Sequence, residues 1–288
     1  MLSLSAARVS DFQQTILDQY RQSGRSFPWR ETSDPYRILV SEIMLQQTQT
    51  ERVLPKYEAW LERFPTARSL ADASLADALG LWNGLGYNRR ARFLQEACRA
   101  VCSSYGGVFP RTADELDALP GIGPYTARAV CTFAYGTPEV FIETNIRSVY
   151  IFFFFTAARD SAVPDKELLP IIDRTLYRAD PRIWYYALMD YGAVLKKKVV
   201  NPNRRSAHYT KQSKFEGSLR QARGAVLRCL TAARAEAPSD RTALRAVSLE
   251  YIAETERIDV PRIRQAAESL LAERLIVCEN GAYRVSDT

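Results

Sequence analysis

Cysteine is scarce and scattered. The 288 residues hold five, Cys98, Cys102, Cys131, Cys229 and Cys278, and no two form a C-x-x-C pair. A zinc ribbon or an iron–sulfur cluster, each built on closely spaced ligands, gains no support, so no metal and no cofactor is expected. Cys98 and Cys102 fall on an apolar helical stripe and read as buried thiols, which suits a reducing compartment. With 13 glycines and 14 prolines, collagen-like and low-complexity readings fail. Long apolar runs are missing too: Val149–Phe155 covers seven residues, against the ~20 a membrane span needs. The opening MLSLSAARVSDF lacks the apolar stretch of a signal peptide, so a soluble, cytoplasmic protein is expected. Histidine occurs once, at His208 in a basic linker, and reads as a surface residue.

The material for a core is present, since hydrophobic residues make up 47% and charged residues 25%. Disorder over the whole chain is excluded, and the length suits two domains or three small ones. Net charge is +6, from 39 basic and 33 acidic residues. Its distribution says more than its size. Lys196, Lys197, Lys198, Arg204, Arg205, Lys211 and Lys214 lie between Tyr191 and Phe215 with no acidic residue among them. From Glu216 to the end, eleven basic residues balance eleven acidic ones. One basic belt on a balanced protein reads either as a solvated loop or as a segment that contacts phosphates.

Helical periodicity dominates, as in Phe93, Leu94, Ala97, Cys98, Val101 and Cys102. Asp34-Pro35 suits a helix start, and Thr112-Ala-Asp-Glu115 reads as a capping box opening a short helix. Up to about residue 210 the chain looks all-α. The tail differs: helices over Leu219–Arg234, Ser248–Glu254 and Pro261–Ala272 precede Leu275–Cys278, a turn at Asn280-Gly281 and Ala282–Val285. Asn-Gly between short strands signals a hairpin, which makes the tail a winged-helix-like α+β module. The expected domains are a core over 1–210, with a six-helix lobe near 32–137 and a second lobe from 1–31 plus 138–210, and the module over 216–288. The linker falls near Asn201–Gly217.

Three strings carry chemistry. Leu119-Pro-Gly-Ile-Gly-Pro-Tyr-Thr-Ala127 reads as a helix-hairpin-helix: Gly121 and Gly123 turn the chain, and the amides opening the next helix suit one phosphate. Ser41-Glu-Ile-Met-Leu-Gln-Gln-Thr48 places Glu42 in an apolar helix, where burial would keep the carboxyl protonated as a general acid needs. Phe141-Ile-Glu-Thr-Asn-Ile-Arg147 supplies a second acid, Glu143. Taken singly, a surface Glu on an amphipathic helix and a capping Glu remain the simpler readings of the two acids.

Together with Trp82-Asn-Gly-Leu-Gly-Tyr87, Arg90-Ala91-Arg92, Gly107-Val-Phe-Pro110 and Ala187-Leu-Met-Asp-Tyr-Gly192, these strings resemble the helix-hairpin-helix DNA glycosylase superfamily. Within it they resemble the MutY adenine glycosylases, from about Phe12 to Gly192. The resemblance implies two α-helical lobes and a nucleoid-associated, monomeric enzyme that acts on double-stranded DNA carrying a lesion or mismatch, away from membranes. It implies Glu42 as the acid protonating the leaving base. Glu143 stands where the family has an Asp, with Asn145 supporting it. Tyr125 sits where bifunctional relatives have a Schiff-base lysine, which implies base release without strand cleavage. Gln46, Gln47 and Tyr87 match residues that wedge into the duplex, and Arg30 and Leu45 match pocket-lining positions. The Gly121–Gly123 hairpin and the belt residues Lys196, Lys197, Lys198, Arg204 and Arg205 would hold phosphates.

Two departures leave the substrate open. No cysteine follows Gly192 where the family carries its cluster loop, and a winged-helix-like tail replaces the family's 8-oxoguanine-reading domain. Adenine opposite 8-oxoguanine or guanine is implied by resemblance. A mispaired or modified pyrimidine (thymine, uracil or 5-hydroxymethyluracil) and a non-catalytic DNA-binding role are the alternatives.

Overall fold

A computed structural model describes residues 4–155, 162–211, 214–235 and 246–287. Its helices are α1 (Ala6–Ser23), α2 (Pro35–Leu45), α3 (Thr50–Arg63), α4 (Ala67–Ala71), α5 (Leu75–Trp82), α6 (Arg89–Ser104) and α7 (Ala113–Asp117). They continue with α8 (Pro124–Tyr135), α9 (Thr144–Phe154), α10 (Asp165–Thr175), α11 (Pro181–Lys198), α12 (Leu219–Ala235), α13 (Leu249–Glu256) and α14 (Val260–Ala272). One antiparallel hairpin follows, β1 (Ile276–Glu279) with β2 (Ala282–Val285), in the register Ile276 opposite Val285. Asn280 and Gly281 both take positive φ there, as the tight turn requires. No described helix is long and apolar enough to cross a membrane.

The chain divides into two compact units. The first comprises Met1–Leu39, Arg111–Asp117 and Gly123–Lys211; the second comprises Val40–Pro110, Ala118–Ile122 and Gln212–Thr288. These cuts differ from the boundaries read in the sequence. Helices α7 and α8 join the first unit, where Phe133 of α8 stacks on Tyr186 of α11 at 4.6 Å. Residues 212–288 join the second, because α12 packs on α5 and Asn83 Nδ2 donates to Thr231 Oγ1 at 2.9 Å. Arg92 of α6 also donates to the Glu273 carbonyl at the end of α14. The linker read at Asn201–Gly217 includes residues 212 and 213, which lie outside the described residues.

Aromatic rings build both cores. In the first unit Phe12 meets Tyr150, Phe154 and Trp184 edge-on at 5.3, 4.9 and 5.7 Å. Phe154 is buried, whereas Phe152 stays 37% exposed, so the Phe152–Phe155 run packs on one side only. In the second unit Trp60 meets Phe64 and Trp82 at 5.1 and 5.4 Å. The Trp82 indole N–H still reaches the Gly86 carbonyl at 3.1 Å, as a buried indole must.

Candidate active site

In the first unit the site is built around the start of α9. Phe141 stacks on Tyr185 of α11 with centroids 3.8 Å apart, and its N–H donates to the Tyr185 hydroxyl at 3.3 Å. That hydroxyl donates onward to the Glu139 carbonyl at 2.8 Å. Burial pushes the Tyr185 phenol well above its ordinary pKa, so it stays a neutral prop. Two residues beyond this anchor, Glu143 is the N-cap of α9. Its Oε1 accepts from the Asn145 and Ile146 amides at 2.8 and 2.9 Å, and its Oε2 accepts from Asn145 Nδ2 at 3.3 Å. The capping role that the sequence leaves open is realised, and it orients the carboxylate. Tyr125 lies beside this segment, its ring edge-on to Phe141 at 5.7 Å.

Helix α11 approaches the start of α9 closely. A Cβ on Gly192 would lie 2.5 Å from the Asn145 carbonyl oxygen, so only glycine permits the contact. One turn on, Lys196 Nζ donates to Asn145 Oδ1 at 2.8 Å. Burial, the largest influence, lowers the Lys196 ammonium from its ordinary pKa; the Glu143 charge opposes this and the Arg147 charge reinforces it. Arg147 itself is clamped bidentate on Asp165, at 2.7 and 2.8 Å.

Behind this segment lies a buried ion cluster. Asp190 of α11 is 1% exposed and takes both ends of the Arg30 guanidinium, at 2.8 and 2.9 Å. It also accepts from the Arg25 backbone N–H and Nε, both at 2.8 Å. Burial would raise the Asp190 carboxyl, but its bonds to Arg30 and Arg25 outweigh that and hold it below the usual range. Arg30 lies over the Tyr186 ring at 4.6 Å. Implied as a pocket-lining residue, it is engaged in this cluster.

In the second unit Glu42 is 7% exposed near the end of α2. Arg90 ties that end together. Its Nη1 donates to the carbonyls of Ile43 and Gln46, both at 2.6 Å, and its Nη2 to the Gly86 carbonyl at 3.1 Å. Burial lowers the guanidinium to about 10. The bonds satisfy carbonyls that a helix end leaves open. They also support Gln47 and Tyr87, which both take positive φ (56° and 45°) and are joined by a 2.6 Å bond from the Tyr87 hydroxyl to Gln47 Oε1. Two strained non-glycine residues side by side are a feature of functional sites. Gln46, Gln47, Tyr87 and Arg90 line an open groove of about 970 Å³, together with Phe215 and Arg220. Leu45, half-buried, is the last residue of α2.

The hairpin glycines differ in their needs. Gly121 takes φ 71°, and a Cβ there would lie 2.3 Å from Phe93 Cβ. Gly123, extended at φ −104°, is the N-cap of α8, with Pro124 in its first turn. The belt divides as well. Lys197, Lys198 and Arg204 are exposed, whereas Lys196 turns to Asn145 and Arg205 donates to the Phe155 carbonyl at 2.6 Å. Sequence reasoning gives Asp190 and Arg90 no role. For Asp190 the signal is a carboxylate set in the apolar stretch Tyr185–Leu195 of α11, which requires a partner; Arg90, beside Arg89 at the basic start of α6, carries no such signal.

Residues 40–188 match the HhH-GPD superfamily of base excision DNA repair proteins. The chain is 34% identical over 286 residues to the adenine DNA glycosylase of Mycobacterium tuberculosis (strain H37Rv), covering 91% of this chain and 88% of that protein. It is 47% identical over 135 residues to the adenine DNA glycosylase of Mycolicibacterium smegmatis, a stretch of 46% of each chain. Among solved structures it resembles a thermostable thymine-DNA glycosylase, with TM-score 0.58 and 28% identity over 65% of this chain and 86% of that one. An endonuclease III trapped covalently on DNA shares the fold, with TM-score 0.57 and 20% identity over 67% of this chain and 88% of that one.

Proposed function

Because the chain belongs to the HhH-GPD superfamily of base excision DNA repair proteins and is a DNA N-glycosylase of that pathway, we propose that it removes adenine mispaired with 8-oxoguanine or guanine by hydrolysis. The relatives named as adenine DNA glycosylases support this choice of base. The observation that carries it is the Glu143 carboxylate, aimed by three donors at the start of α9. Breaking an N-glycosidic bond leaves a cation-like sugar and an electron-rich base, as in O-glycoside cleavage. Glu143 faces the sugar and guides the water, with Asn145 holding it. Glu42 protonates the departing base. Gln47 and Tyr87 enter the duplex as the base leaves the stack, and Gly121, Gly123, Lys197, Lys198 and Arg204 hold phosphates.

A cluster of the family kind needs four thiolates, and no cysteine lies between Gly192 and Lys214. The residues present do not fit one, and the chemistry we assign uses side chains alone. Tyr125 offers no amine, so base release proceeds without strand cleavage. The thymine-DNA glycosylase likeness favours one second reading, a mispaired pyrimidine.

The test is a panel of labelled duplexes with adenine opposite 8-oxoguanine, adenine opposite guanine, thymine opposite guanine and uracil opposite guanine, scored for abasic sites at saturating enzyme. Abasic sites at adenine are expected, with little product trapped by borohydride. Excision of pyrimidine alone transfers the assignment to the second reading, and no excision from any of the four duplexes refutes both choices of base.

A further inference from the structure

We propose that Lys196 is a positioning residue: its ammonium fixes the Asn145 amide so that Nδ2 faces Glu143 and the sugar-facing carboxylate stays aimed. The proposal rests on the glycosylase reading, for which Glu143 is the working carboxylate.

An asparagine amide has an acceptor at one end and donors at the other, and the ends exchange by a half-turn of the group. Here each end has a partner of one kind. Oδ1 accepts from Lys196 Nζ at 2.8 Å, and an ammonium only donates. Nδ2 donates to Glu143 Oε2 at 3.3 Å, and a carboxylate only accepts. Turned over, the amide would set donor against donor and acceptor against acceptor. Without Lys196, one end loses its specification and the other rests on a single long bond.

Helix α11 supplies both requirements on one face. Gly192 leaves room for the Asn145 backbone, and Lys196 lies four residues on, above the same spot. The next cation along α9, Arg147, is held bidentate by Asp165, which also lies 3.9 Å from His208. Lys196 is therefore the ammonium at this amide. Burial lowers its pKa, as expected of a group withdrawn from bulk water. Its neighbours Lys197 and Lys198 are exposed, so three consecutive lysines divide between an internal task and solvent.

The experiment compares wild type with Lys196→Met, which keeps length and loses charge and donors, and with Lys196→Arg, which keeps both. Single-turnover excision is measured at saturating enzyme on the duplex from which wild type releases its base fastest. Duplex affinity is measured across a salt series, and melting temperature is followed as a folding control. Lys196→Met is expected to slow excision roughly ten- to a hundredfold, the scale of a misplaced catalytic group. Its salt slope should stay at the wild-type value, whereas removing a cation that neutralises a phosphate lowers it by about 0.9. Lys196→Arg should regain part of the rate. In parallel, NMR follows the Asn145 side-chain amide, identified by its loss in Asn145→Asp. The wild-type pair should exchange slowly with solvent, and Lys196→Met should speed that exchange. A wild-type rate with an unchanged amide pair overturns the proposal, as does a rate loss matched by a fallen salt slope. If wild type excises nothing, the glycosylase reading fails, and the NMR comparison alone decides whether Lys196 holds Asn145.

Discussion

Glu143 serves the fold and the proposed chemistry at once, and a substitution separates the two by magnitude. In Glu143→Gln the retained oxygen can still accept from the Asn145 and Ile146 amides, which lie at 2.8 and 2.9 Å from Oε1. The other end becomes an NH₂ facing the Asn145 Nδ2 donor. A weakened cap costs about 1 kcal/mol, and loss of a negative charge at a helix N-terminus about 0.3–1 kcal/mol. At ~2–4 °C per kcal/mol, the melting temperature should fall by about 3–8 °C. A domain stable by roughly 5–15 kcal/mol remains folded at 25 °C after that loss. The chemical effect is larger. Removing one donor from an oxyanion hole costs ~10²–10³ in rate, and removing a full charge from a developing cation should cost at least as much. Glu143→Asp keeps the charge and a good capping residue, but shifts the carboxylate by ~1 Å, a misplacement worth up to ~10². Single-turnover excision at 25 °C with saturating enzyme isolates the chemical step. The expected order is wild type, then Asp, then Gln, with Gln down by at least ~10² and binding retained. A Gln variant within about tenfold of wild type, on a scale where ~1.4 kcal/mol is tenfold, refutes the role given to this carboxylate.

Asp190→Asn should strand the buried Arg30 charge and destabilise the first unit by about 3–5 kcal/mol at pH 7; a melting shift under ~2 °C, less than 1 kcal/mol on that scale, counts against the cluster. Because the Asp190 pKa is depressed in the folded protein, its stabilisation is present above the unfolded value near ~3.9 and is lost as pH falls through the folded value. Wild type should therefore lose stability in acid more steeply than Asp190→Asn, as paired melts at pH 7 and pH 3 would show. Gly121→Ala forces a Cβ against Phe93 at φ 71° and should cost about 1–3 kcal/mol; an unchanged melting curve refutes the tight hairpin. Replacing Lys197 and Lys198 together by Ala should lower the log–log salt slope for duplex binding by about 0.9 for each phosphate no longer neutralised, and an unchanged slope places that turn away from DNA.

Local features are legible in the sequence. The Thr112 side-chain cap on the Glu115 amide, the helix start at Asp34-Pro35, the glycine turn before Pro124 and the Asn280-Gly281 hairpin each rest on dihedrals and hydrogen bonds within a few residues. Sequence alone determined these, along with the candidacy of Glu42 and Glu143, whose strings are local as well. The tertiary structure decided pairings across long separations. Arg30 meets Asp190 at a separation of 160 residues, and Tyr87 meets Gln47 at 40. It also decided which face of α11 looks inward. Successive residues on a helix are turned by about 100°, so Lys196 and Lys197 are equivalent as a charge run until α9 packs against Gly192. Charge counts add along the chain, whereas burial and partners depend on which helix lies alongside, and that packing sends one lysine to Asn145 and leaves its neighbours in water.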